Sequence, residues 1–249
     1  MSVRICFIIF VLSLALSRVA HGQDSLKYSG ISLNIGLNKL SNKDEFQSPY
    51  TYKGTNLLLN FMYTRAGKKG QHILDVTYSG GQIKSVVSPA ADNQLFLFYY
   101  DFLFNLSAKK PDEKFRPSLG VGVHSLFSNT NYLPDVEGPV SYLSGGAFLT
   151  FSGNILYRFN KKSSLRIQAG LPIFGFVYRP DFEINGKTLT KTTGLGKGNL
   201  FSVKAEYDYK LSSKLYLTAS YNYNYSSFDE PRPITILTNG LLIGLRKTF

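Results

Sequence analysis

The residues from Leu215 to Tyr225 read LYLTASYNYNY and alternate strictly between two kinds of side chain. The mainly apolar and aromatic set is Leu215, Leu217, Ala219, Tyr221, Tyr223 and Tyr225, and the mainly polar set is Tyr216, Thr218, Ser220, Asn222 and Asn224. Successive side chains of a β-strand point to opposite faces. A period of two therefore predicts a strand whose faces meet two different surroundings.

The same pattern returns along the chain, at lengths close to the ~9–11 residues that a tilted strand needs to cross a bilayer. The predicted strands are 28–40, 53–66, 72–83, 93–107, 115–127, 144–160, 164–178, 197–210, 214–227 and 234–249. Short connections (67–70, 108–114, 161–163 and 211–213) alternate with long ones (41–52, 84–92, 128–143, 179–196 and 226–233). This alternation is typical of outer-membrane barrels, which have even strand numbers. The sequence predicts an all-β, transmembrane, antiparallel up-and-down β-barrel of about 10 strands, with short periplasmic turns, longer extracellular loops and both mature termini periplasmic.

The N-terminal residues predict export. Arg4 precedes the apolar run 5–16, and Ala20-His21-Gly22 places small residues before Gln23. These features indicate a cleavable signal peptide over 1–22, because the apolar run is shorter than the ~20 residues of a spanning helix. The remainder, 23–249, is predicted to be a single outer-membrane barrel domain. The one cysteine, Cys6, lies in the apolar run, so we expect no disulfide and no cysteine-based metal site in the mature chain. No zinc, calcium-loop or nucleotide-binding motif stands out in the sequence, so no cofactor is expected.

The composition of the two faces predicts which one meets lipid. Bulky rings occupy one face of the strand 93–107, whereas glycine and small polar residues occupy one face of the strand 115–127. The rings are Phe96, Phe98, Tyr100, Phe102 and Phe104, and the small residues are Ser118, Gly120 and Gly122. A narrow barrel has room inside for small side chains but not for successive rings. The sequence therefore favours lipid outside and a polar lumen over the inverse arrangement of a soluble lipocalin-like barrel.

Charges of both signs follow the inward phase near the short turns. They are Asp75, Asp101, Arg116, Arg158, Arg166, Lys204, Glu206, Asp208 and Arg246. Charges in a partly dehydrated lumen persist only when they are paired, and arginine binds carboxylates bidentately. Barrels with water-filled channels need ~16–18 strands, so a barrel of about ten is narrow. We predict a structural ion-pair network that plugs the lower lumen, with an ion-selective constriction in a narrow small-solute channel as the alternative.

The formal net charge of +12 raises the possibility of a nucleic-acid partner. The lysines lie mostly in turns, as at 68–69, 109–110 and 161–162, and form no continuous basic stripe with interleaved aromatic residues. We therefore expect no nucleic acid. The expected partners are outer-membrane lipid and lipopolysaccharide, whose anionic head groups attract basic residues.

The chain ends in NGLLIGLRKTF, with Leu241, Ile243 and Leu245 in phase and Phe249 as the last residue. With its signal peptide and amphipathic strands, the whole mature chain resembles the small bacterial outer-membrane β-barrel proteins. The resemblance implies a location in the outer membrane and identifies Phe249 as the signal that the barrel-assembly machinery recognises. Lys247 departs from the family pattern, which usually has an apolar or aromatic residue there. The resemblance specifies an architecture and a membrane rather than an activity.

Catalytic alternatives centre on His124, which Ser128 follows four residues later. Lipid A deacylases carry a close histidine and serine with an acidic partner, but four strand residues at ~3.3 Å each exceed hydrogen-bond reach. Ten-stranded outer-membrane proteases use aspartates and an aspartate–histidine pair at the outer rim, where this chain has no histidine in phase. We predict a non-enzymatic barrel whose surface loops serve envelope integrity, adhesion or partner docking. The loops 128–143 and 179–196 contain turn formers and predict ordered hairpin extensions.

Overall fold

The computed structural model describes residues 28–45, 48, 50–67, 69–86, 90–106, 114–132, 141–184, 187–194, 198–229 and 232–249, without the side chains of 141, 180–184 and 187–194. The strands are β1 (Tyr28–Asp44), β2 (Tyr52–Ala66), β3 (Gly70–Ile83), β4 (Ala91–Asn105), β5 (Phe115–Tyr132), β6 (Ser141–Arg158), β7 (Ser163–Ile184), β8 (Lys187–Gly194), β9 (Gly198–Lys210), β10 (Leu215–Phe228) and β11 (Ile234–Thr248). In these ranges no helix is long and apolar enough to cross a membrane. The predicted signal peptide at 1–22 lies outside the described residues.

The strands form one closed antiparallel ring. Neighbours in sequence pair from β1 to β7, β9 pairs with β7 and β10, and β11 pairs with β10 and β1. The segment Ser163–Gly170 of β7 pairs with β9, and Phe174–Ile184 pairs with β8. Both β8 and β9 run antiparallel to β7, and they pair with successive segments of it. The two strands therefore share one position in the wall. The ring therefore has ten strand positions, and the predicted up-and-down barrel is confirmed.

The wall is irregular where β8 gives way to β9. Leu171, Pro172 and Ile173 pair with neither strand, and the register between β6 and β7 shifts at the same level. Proline has no N–H to donate to a ladder, so it favours a break or a bulge. Ile173 and Phe174 both remain exposed across the bulge, which changes the inward phase of β7. Above the bulge, β7 and β8 form the hairpin extension predicted within 179–196; the other predicted extension includes 133–140, outside the described residues.

The two ends of the barrel differ in their connections. At the end that carries both described termini, three or four residues separate β2 from β3, β6 from β7 and β9 from β10, whereas nine separate β4 from β5. The Phe249 N–H donates to the Ser29 carbonyl at 2.8 Å at this end. The other end carries the described ends of β1, β3, β5 and β10 and the β7–β8 hairpin. We call these the short-turn end and the long-loop end.

The outward face of the wall is an apolar band. On the paired strands β1 and β11, the outward side chains are 49–68% exposed and stand opposite one another. They are Leu33, Ile35, Leu37, Leu241, Ile243 and Leu245. The band continues around the ring through Phe104, Val121, Phe151, Leu171, Tyr207 and Leu217. A soluble monomer rarely exposes an apolar surface of this extent, and the band matches the lipid-facing surface of a membrane barrel.

The side chains that fill the barrel interior change in character along its axis. Small polar side chains fill its middle, as predicted, but an apolar cluster fills the half toward the long-loop end. The cluster contains Leu40, Tyr52, Ile83, Ala91, Leu95, Leu97, Leu126, Tyr132, Tyr142, Phe148, Val177, Leu200, Phe228, Ile234 and Ile236. The prediction of a polar lumen is therefore wrong for this half. Its sequence signal is the run LFLFYY in β4, which supplies apolar side chains to both faces of one strand.

Candidate functional site

The inward charges at the short-turn end centre on Arg246 of β11. Its Nη1 donates to Asp208 Oδ2 at 2.5 Å and its Nη2 donates to Glu206 Oε1. Arg166 of β7 lies opposite Glu206 in the sheet, with 3.6 Å between Nη1 and Oε1. All four side chains are buried. Arg246 reaches β9 across β10, where the small Thr218 and Ser220 stand opposite Asp208 and Glu206.

A second ion pair crosses the lumen. Lys204 Nζ of β9 lies 2.5 Å from Asp75 Oδ2 of β3, and these strands are five positions apart in the ring of ten. Asn60 supports the carboxylate, because its Nδ2 donates to Asp75 Oδ1 at 2.5 Å and to Thr77 Oγ1 at 2.8 Å. The pair is thus a strut between opposite walls.

A third cluster surrounds the buried carboxylate of Asp101 on β4. Gln168 Nε2 donates to Asp101 Oδ2 at 2.6 Å, and the Ser152 hydroxyl donates to Oδ1. His124 Nε2 lies 3.0 Å from Oδ1, and its Nδ1 lies 3.3 Å from the Ser202 hydroxyl. The His124 ring lies against the ring of Tyr99, with 4.4 Å between centroids. Asp101 is therefore held by hydrogen-bonding groups from β5, β6 and β7.

The structure thus distributes the predicted network over three clusters. Seven of the nine predicted residues contribute to them: Asp75, Asp101, Arg166, Lys204, Glu206, Asp208 and Arg246. Arg116 and Arg158 are half-buried at the short-turn end, where each makes interactions of its own. The contacts of Asp101 with His124 and Gln168 were not predicted, because they depend on the register of strands that alternation alone does not align.

An ion pair at the long-loop end was also missed. Arg179 Nη2 donates to both carboxylate oxygens of Asp44, at 2.8 and 2.6 Å, and Nη1 donates to the Arg232 carbonyl at 2.9 Å. Arg179 is 1% exposed. Burial and the nearby Asp44 carboxylate raise the pKa of the Tyr132 phenol, while Arg179 opposes the rise. Both charged residues lie in segments that the sequence assigned to loops, although they continue the inward phase of β1 and of β7 beyond its bulge.

Further hydrogen bonds cross the lumen between these levels. The Tyr99 hydroxyl of β4 donates to Asn224 Oδ1 of β10 at 2.8 Å, and Asn42 Nδ2 of β1 donates to Thr130 Oγ1 of β5 at 3.3 Å. A cavity of about 20 Å³ remains beside the Lys204–Asp75 pair. Its lining includes Asp75, Thr77, Tyr99, Gln168, Ser202 and Lys204. A cavity of this size holds about one water molecule.

The series Ser202–His124–Asp101 has the order of a hydroxyl, an imidazole and a carboxylate that activates a nucleophile. Ser202 borders the 20 Å³ cavity, which has no room for an acyl chain or a peptide. His124 is 1% exposed and Asp101 is fully buried. Ser128, the serine considered from the sequence, instead accepts a hydrogen bond from Asn93 at 3.0 Å. This geometry suits a satisfied hydrogen-bond chain inside the lumen.

Metal-binding geometry was sought among the same side chains. Across the described part of the chain, no group of three or more histidine, cysteine, aspartate or glutamate residues is arranged to hold a metal ion.

The fold is similar to solved bacterial barrels. The outer-membrane protease OmpT of Escherichia coli aligns with a TM-score of 0.55 at 12% identity, over 93% of this chain and 99% of that chain. The translocator domain of the autotransporter NalP of Neisseria meningitidis aligns with a TM-score of 0.49 at 9% identity, over 99% and 95%. No protein-family profile and no curated protein matches the chain. The likeness to OmpT shows a common architecture, so the chain has the fold of an outer-membrane β-barrel.

Proposed function

We propose that this chain is a non-enzymatic integral protein of the bacterial outer membrane, with a closed lumen and a functional surface at the long-loop end. The apolar band supports the membrane location, because its exposed leucine, isoleucine and aromatic side chains are favourable only against acyl chains. Both described termini lie at the short-turn end, which faces the periplasm in this proposal. The long-loop end then faces the cell exterior.

The observation that carries the closed lumen is the set of direct bonds between opposite walls. Lys204–Asp75, Tyr99–Asn224 and Arg179–Asp44 join strands four or five positions apart in the ring. The apolar cluster fills the space between the Tyr99–Asn224 hydrogen bond and the Arg179–Asp44 ion pair. Within it, Phe148 stacks on Phe228 with 6.0 Å between ring centroids. A hydrated ion that moves along the barrel axis would have to pass the apolar cluster, which excludes water, and the polar side chains, which are joined across the lumen by ion pairs and hydrogen bonds.

The long-loop end offers the surface on which a partner binds. The β7–β8 hairpin extends beyond the paired part of β9, and its base is fixed by the buried pair of Arg179 with Asp44. A binding surface on a rigid support loses little conformational entropy when a partner binds. Envelope integrity, adhesion or partner docking are the roles that such a surface serves.

A narrow small-solute channel is the second candidate, and the polar middle of the lumen favours it. Single-channel recording in a planar bilayer separates the two functions. The folded protein is expected to insert without giving a steady current, whereas a large porin added to the same bilayer conducts. A stable, reproducible conductance of the wild-type barrel would contradict the closed lumen.

A hydrolase centred on His124 makes a different prediction. His124→Asn removes the imidazole, so a lipid A deacylase would lose its activity. We expect the acylation pattern of lipid A to be the same in cells that express the wild-type protein, the variant or neither. A change that depends on the imidazole would establish an enzyme.

The membrane location is tested by fractionation. A folded barrel in the outer-membrane fraction migrates anomalously in a detergent gel until it is boiled, and we expect this heat-dependent shift. Recovery of the protein only in soluble fractions would contradict the proposal.

A further inference from the structure

Three lysines form a cationic patch on the outer wall, toward the long-loop end of the apolar band. Lys39 lies on β1, Lys53 on β2 and Lys84 directly after β3, and all three are exposed. Lys39 continues the outward phase of Leu33, Ile35 and Leu37. The patch therefore begins where the lipid-facing residues of β1 end. We call these three residues the lysine patch.

Strand pairing brings the three ammonium groups together. The Lys53 N–H donates to the Lys84 carbonyl at 2.8 Å, and the Lys84 N–H donates to the Lys53 carbonyl at the same distance. Directly opposite residues have Cβ atoms ~4.5–5.5 Å apart, and diagonal neighbours ~7–8 Å apart. Lys39 is the diagonal neighbour of Lys53, because Ser41 is its direct partner. The three side chains therefore extend from neighbouring positions on one face of the wall.

Among the described residues, no acidic side chain forms an ion pair with a lysine of the patch. Lys43, farther along the same face of β1, differs because it pairs with Glu45 at 2.6 Å. Asp92, opposite Gln82 on β4, is the exposed diagonal neighbour of Lys84 and borders the patch without forming an ion pair with it among the described contacts. Like charges directly opposite each other destabilise a sheet. An external anion between them relieves this repulsion.

The wall beside the patch has an open depression. Lys39 and Lys53 border an open depression of about 330 Å³ on the outer wall. Ser41, Thr55 and Asn239 add hydrogen-bonding side chains, and Leu237 adds an apolar contact. The paired row that contains Lys53 continues through Ser41 and Leu237 to Tyr225 and Phe201. Lys53 and its bridge partner Lys84 are the basic residues of this described row, and both lie at its β2–β3 end.

We propose that the lysine patch binds the phosphate groups of lipid A, the phosphorylated glycolipid of the outer leaflet. This inference rests on the proposed membrane location, which places the long-loop end in that leaflet. The acyl chains lie along Leu33, Ile35 and Leu37, and the phosphates sit between the ammonium groups as charge-assisted hydrogen-bond acceptors. A lysine near an anionic membrane surface contributes about five-fold in affinity, so three lysines contribute on the order of 100-fold.

Native mass spectrometry of the folded barrel in detergent, titrated with bisphosphorylated lipid A, tests the site. The variant Lys39→Gln/Lys53→Gln/Lys84→Gln is expected to bind on the order of 100-fold more weakly than wild type. The control Lys161→Gln/Lys162→Gln/Lys214→Gln removes the same charge from exposed positions at the short-turn end and is expected to bind like wild type. Each variant is first shown to fold by its heat-dependent gel shift. Equal binding by wild type and the patch variant overturns the proposal.

The lipid probes identify the occupant. Fully dephosphorylated lipid A is expected to bind wild type and the patch variant equally weakly, and inorganic phosphate alone is expected not to compete. Wild-type binding of dephosphorylated lipid A as tight as that of the phosphorylated form overturns the phosphate site, and equally tight binding of phosphatidylglycerol overturns the assignment to lipid A. Conductance measurements test the lumen separately, so a failure of the patch is distinguishable from a failure of the closed barrel.

Discussion

Arg246 is the residue whose removal tests the inner ion-pair cluster most severely. It is 5% exposed and donates to both Glu206 and Asp208, which are equally inaccessible to bulk water. Arg246→Met keeps much of the stem but leaves two buried carboxylates with two remaining cations, Arg166 at 3.6 Å from Glu206 and Lys204 two residues from Glu206 on β9. Removing one partner of a buried ion pair costs about 3–5 kcal/mol. We expect the free energy of unfolding to fall by that amount.

The assay is urea unfolding of the barrel refolded into lipid vesicles, followed by tyrosine fluorescence and by the heat-dependent gel shift. Lys247→Met is the matched control, because Lys247 is the exposed neighbour of Arg246 on the same strand. A surface substitution of this kind changes stability by less than about 0.5 kcal/mol. Arg246→Met/Glu206→Gln/Asp208→Asn removes the stranded charges and is expected to recover more than half of the loss. A loss below about 1 kcal/mol in the single variant would refute the reasoning, because a buried uncompensated carboxylate costs more.

Other variants test the remaining parts of the account. Lys204→Met leaves Asp75 without its cation, and we expect the free energy of unfolding in urea to fall by about 3 kcal/mol; an unchanged midpoint of unfolding would contradict a stabilising role for the Lys204–Asp75 pair. Gly120→Ala places a methyl group against the Phe102 carbonyl oxygen of β4, so we expect a lower refolding yield and a loss of about 1–3 kcal/mol in the free energy of unfolding; unchanged yield and stability would mean that β4 and β5 move apart at little cost. Phe249→Ser should reduce the amount of protein in the outer-membrane fraction of cells while the refolded barrel unfolds at nearly the wild-type urea concentration, because Phe249 is 52% exposed; equal cellular amounts would exclude an assembly signal there.

Alternation predicted the strands well wherever one face was polar. It ended β1 at 40 and β5 at 127, whereas the strands continue to Asp44 and Tyr132. Beyond the lipid band both faces carry polar residues, so the amphipathic pattern fades although hydrogen bonding between strands continues. The bulge in β7 was not predicted, although Pro172 marks it, because a proline does not specify where the register shifts.

The lumen shows the larger limit of sequence reasoning. Inward phase correctly brought Glu206 near Arg246, since both lie close to short turns that fix their height in the barrel. The same reasoning placed Asp101 in one network with the arginines, whereas in the structure it contacts His124 and Gln168. These contacts depend on the register across several strands, which alternation does not specify. Pairs between opposite walls, such as Asp44 with Arg179, also depend on closure of the ring.

The most direct test of the central claim is quenching of a single tryptophan by lipids with brominated acyl chains. The chain has no tryptophan, so each replacement reports alone. Phe151 is outward and 45% exposed, and Phe148 on the same strand is inward and 1% exposed. The account predicts strong quenching of Phe151→Trp and little quenching of Phe148→Trp in folded, vesicle-embedded protein. Stronger quenching at Phe148→Trp, or equal quenching at both positions, would contradict a barrel that turns this face to lipid and closes its lumen.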